Sequence, residues 1–220
     1  VLEVEDPYII GNFFSRVMNS LMHVQNVLFI QRKNLSDIDS VKKIIMTYGA
    51  VYSQIYTLRA TYQYYDGGIN ANHAITIVGW DDELTFSGAP AKGGWIYKNS
   101  WGPNSGDHGY YYVSYYDTSV LPVGKTDSAF TFILNDTIRF DKNYQYDIQG
   151  KSDFFVNSSN TVWYKNKFVS TDDEYLTAVS TIFEKQTHYT FSIYVNGEFK
   201  LSQSGSSKPG YYTLNLNEFI

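Results

Sequence analysis

The residues best suited to chemistry in this 220-residue chain lie between positions 70 and 101. His73 opens a run of small and β-branched residues, 73–78, which predicts a buried strand. A second predicted strand, 94–98, leads directly into Asn99. The loop between the two strands holds Asp, Ser, Gly and Pro, which favours an antiparallel return. We therefore expect the His73 ring and the Asn99 amide to lie within hydrogen-bond distance, about 2.7–3.2 Å.

A histidine beside an asparagine amide has a defined chemical use. The amide oxygen can accept the imidazole N–H, which fixes the orientation and the tautomer of the ring. The other ring nitrogen can then exchange a proton with a nucleophile. The alternative interpretation is a core histidine and a turn asparagine with no chemical role.

Two motifs around these residues resemble those of the papain-like cysteine peptidases. They are Asn-His-Ala-Ile-Thr-Ile-Val-Gly-Trp at 72–80 and Lys-Asn-Ser-Trp-Gly at 98–102, followed by Gly-Tyr at 109–110. Both occur in the order and spacing of that family. The resemblance implies that His73 is the general base and that Asn99 orients it. It also implies that Trp101 covers the bond between them, where excluding water strengthens the interaction.

The chain contains no cysteine, so it holds no thiolate that could attack a carbonyl. In papain-like enzymes the cysteine lies roughly 130–150 residues before the histidine, whereas 72 residues precede His73 here. We therefore expect a fragment that lacks the cysteine-bearing half and the glutamine of the oxyanion hole. The alternative is a pseudoenzyme that has lost its thiol.

Composition limits the classes of partner. With 43% hydrophobic and 18% aromatic residues, the chain can bury a sizeable core. A net charge of −5 argues against nucleic acid and anionic membranes. No apolar run approaches the length of a membrane span.

The elements that must position the pair are predicted within residues 1–120. Residues 23–30 and 110–117 favour strands, and residues 36–48 predict a helix that Ser36 caps, with Asp39 three residues on and Gly49 at its end. Residues 51–56 alternate, with Val51, Ser53 and Ile55 on one face. The predicted fold class is α+β followed by all-β. Its first part is the mostly antiparallel, barrel-like C-terminal half of a papain-like fold.

The loop before His73 is rich in tyrosine and contains a Gly-Gly turn. Loops on a rigid sheet often hold recognition residues. The candidate substrate-binding residues are Tyr62, Tyr64, Tyr65 and Asn72. The alternative is an ordinary surface loop.

The pattern changes after residue 120. Residues 121–127 contain Pro and Gly and predict a linker. Residues 128–220 predict an all-β sandwich from an Asn-Gly hairpin turn and from short aromatic and β-branched runs at 129–134, 160–168, 176–183, 189–195 and 210–216. They resemble the lectin-like β-sandwich that follows the peptidase domain in some bacterial surface papain-like proteins. The residues that carry this resemblance are Tyr144-Gln145-Tyr146-Asp147 and Leu176-Thr177-Ala178-Val179-Ser180. We expect this sandwich to continue beyond Ile220.

The resemblances imply a secreted or cell-surface protein of bacterial or archaeal origin. The first functional hypothesis is a cysteine-type endopeptidase that acts on peptide or protein substrates and needs no cofactor for catalysis. The piece in hand is then expected to be inactive alone. The second is a non-catalytic peptidase-like scaffold whose β-sandwich binds carbohydrate, such as cell-wall glycan.

Two further expectations follow from these hypotheses. Lectin-like sandwiches often use calcium, and the loop carboxylates that could serve as ligands are Asp141, Asp147, Asp153, Asp172 and Asp173. Their spacing fits no loop motif, so solvated loop acids are the alternative. A missing partner half should also leave apolar area exposed around His73, drawn from Val24, Val27, Tyr62, Tyr64, Tyr65 and Trp101.

Overall fold

The computed structural model describes residues 24–125, 128–134, 140–146 and 159–220. Their elements in chain order are β1 (Val24–Phe29), α1 (Ile38–Tyr48), β2 (Val51–Ile55), β3 (Tyr62–Gln63), β4 (His73–Asp81), β5 (Gly94–Lys98), β6 (Tyr110–Ser114), β7 (Ala129–Leu134), β8 (Ala178–Phe183), β9 (Thr187–Val195), β10 (Glu198–Ser207) and β11 (Gly210–Asn215). None of the described helices has the length and apolar character needed to cross a membrane.

Nine of these described strands form one mixed sheet in the order β3-β6-β5-β4-β2-β7-β1-β11-β8. Its neighbouring strands are antiparallel except for β3 and β6, which run parallel. The strands β9 and β10 form a separate antiparallel hairpin. Its turn is the predicted Asn196-Gly197 pair, at φ 53° and 86°. The mostly-β class is confirmed, whereas the expected barrel-like closure is not, since the described strands form no closed barrel.

The large sheet contains strands from both sides of the predicted linker. β7 lies between β2 and β1, and β11 and β8 continue the sheet beyond β1. Val120 and Leu121, at the start of the predicted linker, are fully buried. The division into two domains and the sandwich remain predictions, because the strands described after residue 128 are shared between this sheet and the hairpin.

One predicted strand is wrong. Residues 160–168 form no ladder, and Trp163 is 86% exposed. The residue types favour a strand, but a strand also needs a hydrogen-bonded neighbour. Within the described residues no strand pairs with this segment, although side chains such as Tyr146 contact it.

The helix and the strand after it carry the apolar faces that the sequence predicts. Val41 and Ile45 of α1 are buried, as are Val51, Ser53 and Ile55 of β2. Gly49 ends the helix at φ 90° and donates its N–H to the Ile45 carbonyl. The predicted Ser36 cap is wrong. The N-cap is Asp37, one residue after Ser36, and its side chain makes no capping hydrogen bond.

The core lies against the inward face of β2, β4, β5 and β6. Its fully buried members include Val51, Ile55, Ile77, Trp95, Tyr97 and Val113. Burying one such large side chain contributes about 1.5–3 kcal/mol. Side chains alternate along a strand, so His73 stands on the same face of β4 as Ile75 and Ile77. Core packing therefore fixes the face on which the histidine stands.

A buried carboxylate joins the ends of β2, β3 and β6. Asp117 is 0% exposed. It accepts the Ser119 N–H at 3.0 Å, the Ser119 hydroxyl at 2.6 Å and a Gln63 side-chain N–H at 3.2 Å. Gln63 also donates to the Tyr56 carbonyl and accepts the Leu58 N–H, both at 3.0 Å. Burial raises the pKa of Asp117, and the hydrogen bonds from Ser119 and Gln63 oppose that rise.

Replacing Asp117 by alanine should destabilise the chain by about 3 kcal/mol, because it leaves buried donors without an acceptor. The measurement is the free energy of unfolding from urea denaturation. Asp107→Ala is the matched control, since this exposed carboxylate also accepts two side-chain hydrogen bonds, from Tyr112 and His108. Equal losses in the two variants would contradict the structural role of Asp117.

The stability of the chain relative to Asp117→Asn should depend on pH. A raised folded pKa means that the folded chain binds this proton more tightly than the unfolded chain, whose carboxyl titrates near pKa 3.9. The stabilisation from Asp117 is then complete below about pH 4 and is lost as pH rises through the folded pKa. Urea denaturation at several pH values should show the asparagine variant gaining on the wild type with rising pH. The prediction would be contradicted by a difference in unfolding free energy between the two proteins that stays constant with pH, or that shifts in favour of the wild type as pH rises.

Candidate active site

Strand pairing brings His73 and Asn99 to the same end of the sheet. His73 is the first residue of β4 and is paired with Ile55 of β2. β4 and β5 run antiparallel, with Thr76 opposite Lys98, and Asn99 follows β5 directly. The predicted antiparallel return is confirmed.

The predicted hydrogen bond between the two side chains is present. His73 Nε2 lies 2.9 Å from Asn99 Oδ1. Asn99 is 5% exposed, and its backbone N–H donates to the Gly109 carbonyl at 3.0 Å. The asparagine is therefore held by its backbone as well as by its side chain.

A neighbouring backbone group decides the tautomer of His73. Asn99 Oδ1 also lies 2.8 Å from the Ser100 backbone nitrogen. A backbone N–H can only donate, so the amide atom that faces it must be the oxygen. That oxygen can only accept, so His73 Nε2 must carry a hydrogen. The lone pair of the neutral ring is then on Nδ1, which is the nitrogen available as a base.

Trp101 lies over this pair, as the sequence predicts. Its ring stacks on the His73 ring, with centroids 4.9 Å apart and planes at 23°. Trp101 is itself 37% exposed, so it stands between the imidazole and solvent.

Two supports of Trp101 are missed by the sequence analysis. The buried Tyr111 meets the Trp101 ring edge-on at 5.6 Å, and its hydroxyl lies 2.5 Å from the Ser105 hydroxyl. The signal for Tyr111 was the alternation of β6, which places it on the same inward face as Val113. No sequence signal pointed to Ser105.

Gly109 explains why the loop after Asn99 can approach so closely. Its φ is 88°, a conformation that costs glycine little. A Cβ at this position would lie 2.8 Å from Lys98 Nζ and 3.1 Å from the Gly102 oxygen. The glycine thus permits the backbone contact that fixes Asn99.

The structure does not bring Tyr62 or Tyr64 to His73. Tyr62 stacks on Tyr112 at 4.6 Å, on the sheet face opposite to the core. A Cβ at Gly88 would meet the Tyr64 ring at 3.7 Å, and Gly88 belongs to the loop between the far ends of β4 and β5.

Tyr65 and Asn72 do lie at the histidine end of the sheet. Tyr65 stacks on Tyr56 at 4.5 Å, next to Ile55, the register partner of His73. Asn72 donates its backbone N–H to the Ile55 carbonyl and accepts the Thr57 N–H on Oδ1. These bonds fasten the residue before His73 to the end of β2. The role of either residue in substrate binding remains a prediction.

The expectation that Val24 and Val27 border His73 is wrong. Both belong to β1, which is three strands from β4, or about 14 Å, and is paired on both sides. The sequence pattern identifies the strand but cannot give its place in the sheet.

The structure describes three of the five expected calcium ligands, Asp141, Asp172 and Asp173. Asp147 and Asp153 lie outside the described residues, and Asp172 pairs with Lys142 at 2.5 Å. Within the described ranges no group of three or more potential ligands among His, Asp and Glu is close enough to hold a metal ion. Calcium binding remains a prediction.

Comparison with known structures supports the fold. Two structures of Cwp84 each align with 92% of this chain. One, a clostridial cysteine protease after propeptide cleavage, has a TM-score of 0.64 and 22% identity, with 53% of that chain covered. The other contains the cysteine protease and lectin-like domains of this surface layer associated protein of Clostridium difficile, with a TM-score of 0.61, 20% identity and 48% coverage. At these identities the likeness shows the fold alone.

Comparison with known sequences supports the family. The chain is 32% identical over 113 residues to serine-repeat antigen protein 5 of Plasmodium falciparum, which is 46% of this chain and 10% of that protein. It is 34% identical over 82 residues to cathepsin S of Mus musculus, which is 34% of this chain and 22% of that protein. The chain therefore spans about a tenth to a fifth of the length of these relatives. Residues 14–120, just under half of the chain, match the family model for the papain family cysteine protease.

Proposed function

We propose that this chain is part of a cysteine-type endopeptidase that hydrolyses peptide bonds through a Cys-His-Asn site. His73 is the general base and Asn99 is the residue that orients it. The 2.9 Å bond from His73 Nε2 to Asn99 Oδ1 carries the proposal, because it leaves Nδ1 free to accept a proton. The cysteine comes from outside these 220 residues, which contain none.

The reaction needs a proton to move to and from His73 Nδ1. This nitrogen takes the proton of the cysteine thiol, and the resulting imidazolium lowers the thiol pKa below its free value of about 8.5. The thiolate attacks the peptide carbonyl, and the imidazolium gives its proton to the leaving amine. Nδ1 then takes a proton from the water that attacks the acyl-enzyme, and the C–S bond breaks to release the carboxylic acid product and regenerate the thiolate. Asn99 keeps the ring oriented throughout. Because these 220 residues contain no cysteine, we expect them to cleave no peptide on their own.

A second candidate function is a non-catalytic scaffold. It is supported by the lack of cysteine and by the lectin-like domain named in one similar structure. In that case residues 128–220 bind carbohydrate, and the papain-family segment only displays them. The surface-layer association named for the same similar protein supports a secreted or cell-surface location under either function.

The His73 tautomer can be tested on the chain as it stands. NMR should show a hydrogen on His73 Nε2 that is protected from solvent exchange, because it donates to the buried Asn99 oxygen. Asn99→Ala should abolish this protection. The ring of His108, which is exposed and bonded to Asp107, is the internal control and should not change. A protected hydrogen on Nδ1 instead would contradict the assignment of the base.

Thiol reactivity in the full-length parent tests the enzymatic function. Iodoacetamide should alkylate one cysteine rapidly at pH 6, and His73→Ala should slow this about 100-fold, because a free thiol with a pKa near 8.5 is then less than about 1% ionised. Peptide cleavage should fall by a similar factor or more.

The control for this experiment is Thr213→Val, a substitution in β11, far from His73 in the sheet order. If His73→Ala is alkylated as fast as the wild type and still cleaves peptide, His73 is not the base. A parent that does not react and instead binds cell-wall glycan would support the scaffold.

A further inference from the structure

The segment that joins β2 to β4 contains β3, and besides the pairing of β3 with β6 it is held by hydrogen bonds at three places. Asn72 ties its end to β2, and Gln63 ties its middle to the buried Asp117. The third fastening is Thr118, which holds the Gly-Gly turn between these two points. His73 follows this segment directly, so these hydrogen bonds determine the position of the backbone just before the proposed base.

Thr118 holds the turn from both sides. Its backbone N–H donates to the Tyr65 carbonyl at 2.9 Å. Its hydroxyl donates to the Gly68 carbonyl at 2.9 Å and accepts the Gly68 N–H at 3.2 Å. One half-buried side chain thus satisfies both backbone groups of Gly68.

The turn depends on such an external support. Gly68 has φ 118°, a conformation that side-chain-bearing residues rarely adopt. Two adjacent glycines, 67 and 68, leave this stretch many alternative conformations in the absence of bonds that select one. The Thr118 hydroxyl selects one of these conformations, because it donates a hydrogen bond to Gly68 and accepts one from it.

Residues 69–71 connect the turn to Asn72 and His73. Ile69 is 43% exposed, and no hydrogen bond ties residues 69–71 to the rest of the described chain. An exposed stretch held at both ends offers a preformed apolar side chain and free backbone groups. Extended peptides bind to such surfaces through both kinds of contact.

We propose that Thr118 is a positioning residue for substrate binding. Its hydroxyl holds the Gly-Gly turn so that residues 69–71 present a fixed surface to the peptide beside His73. This inference rests on the proposed peptidase function. Thr118 acts through the loop and touches none of the reacting atoms, so its loss should weaken peptide binding and leave the reactivity of the cysteine unchanged.

The test compares Thr118→Val with Thr118→Ser in the full-length parent. Valine keeps the shape and the backbone N–H but removes the hydroxyl, whereas serine keeps the hydroxyl. Thr213→Val is the matched control, since Thr213 is also half-buried and its hydroxyl bonds to Ser180. The readouts are KM and kcat for a peptide substrate, the iodoacetamide alkylation rate, and hydrogen exchange of the amides of residues 66–70.

Thr118→Val should raise KM about tenfold and speed amide exchange in the turn, with kcat and the alkylation rate within about threefold of the wild type. Thr118→Ser should restore KM. An unchanged KM would overturn the inference, whether or not the turn exchanges faster, and so would a fall in kcat alone. Failure of the proposed peptidase function would give a different result, since alkylation and peptide cleavage would then be retained in His73→Ala.

Discussion

The site depends on one oxygen atom, Asn99 Oδ1, which accepts two hydrogen bonds. The bond from the Ser100 N–H fixes which amide atom faces His73, and the bond from His73 Nε2 then fixes the tautomer. A backbone donor has a single possible role, so it determines the roles of both side chains. The free lone pair on His73 Nδ1 follows from this geometry alone, whereas the thiol that the proposed chemistry needs is not among these 220 residues.

The rest of the structure keeps that oxygen in place. The inward face of β4 and β5 is fixed by fully buried side chains such as Ile77 and Tyr97, which cannot turn outward without losing their burial. Past β5, Gly109 allows a close backbone contact with Asn99, and Tyr111 supports Trp101 over the imidazole. Hydrophobic burial thus sets the register, and a few close contacts set the final geometry.

The loop before His73 is organised in a different way, by polar groups in place of apolar packing. Asp117 and Gln63 form a buried network, and Thr118 holds the Gly-Gly turn. Hydrogen bonds are directional, so they can fix a loop that has too little apolar surface to pack. Such a loop can be both exposed and well positioned, which suits a surface that contacts a peptide.

The sequence by itself determined the papain-like pair of His73 and Asn99, the cover by Trp101, helix α1 and the faces of β2. The helix and the faces of β2 come from local pattern, because the periods of helix and strand are short-range properties. The pair and its cover are instead implied by the resemblance of the two motifs at 72–80 and 98–102 to the papain-like family. Only the tertiary structure decided that β1 lies far from His73, that Tyr62 faces away from the core and that residues 160–168 form no strand. Each of these depends on which strands become neighbours. The tautomer of His73 depends on the orientation of the Asn99 amide, and the role proposed for Thr118 depends on hydrogen bonds to a turn 50 residues away. Spacing in the sequence reveals neither, because both are set by the packed sheet.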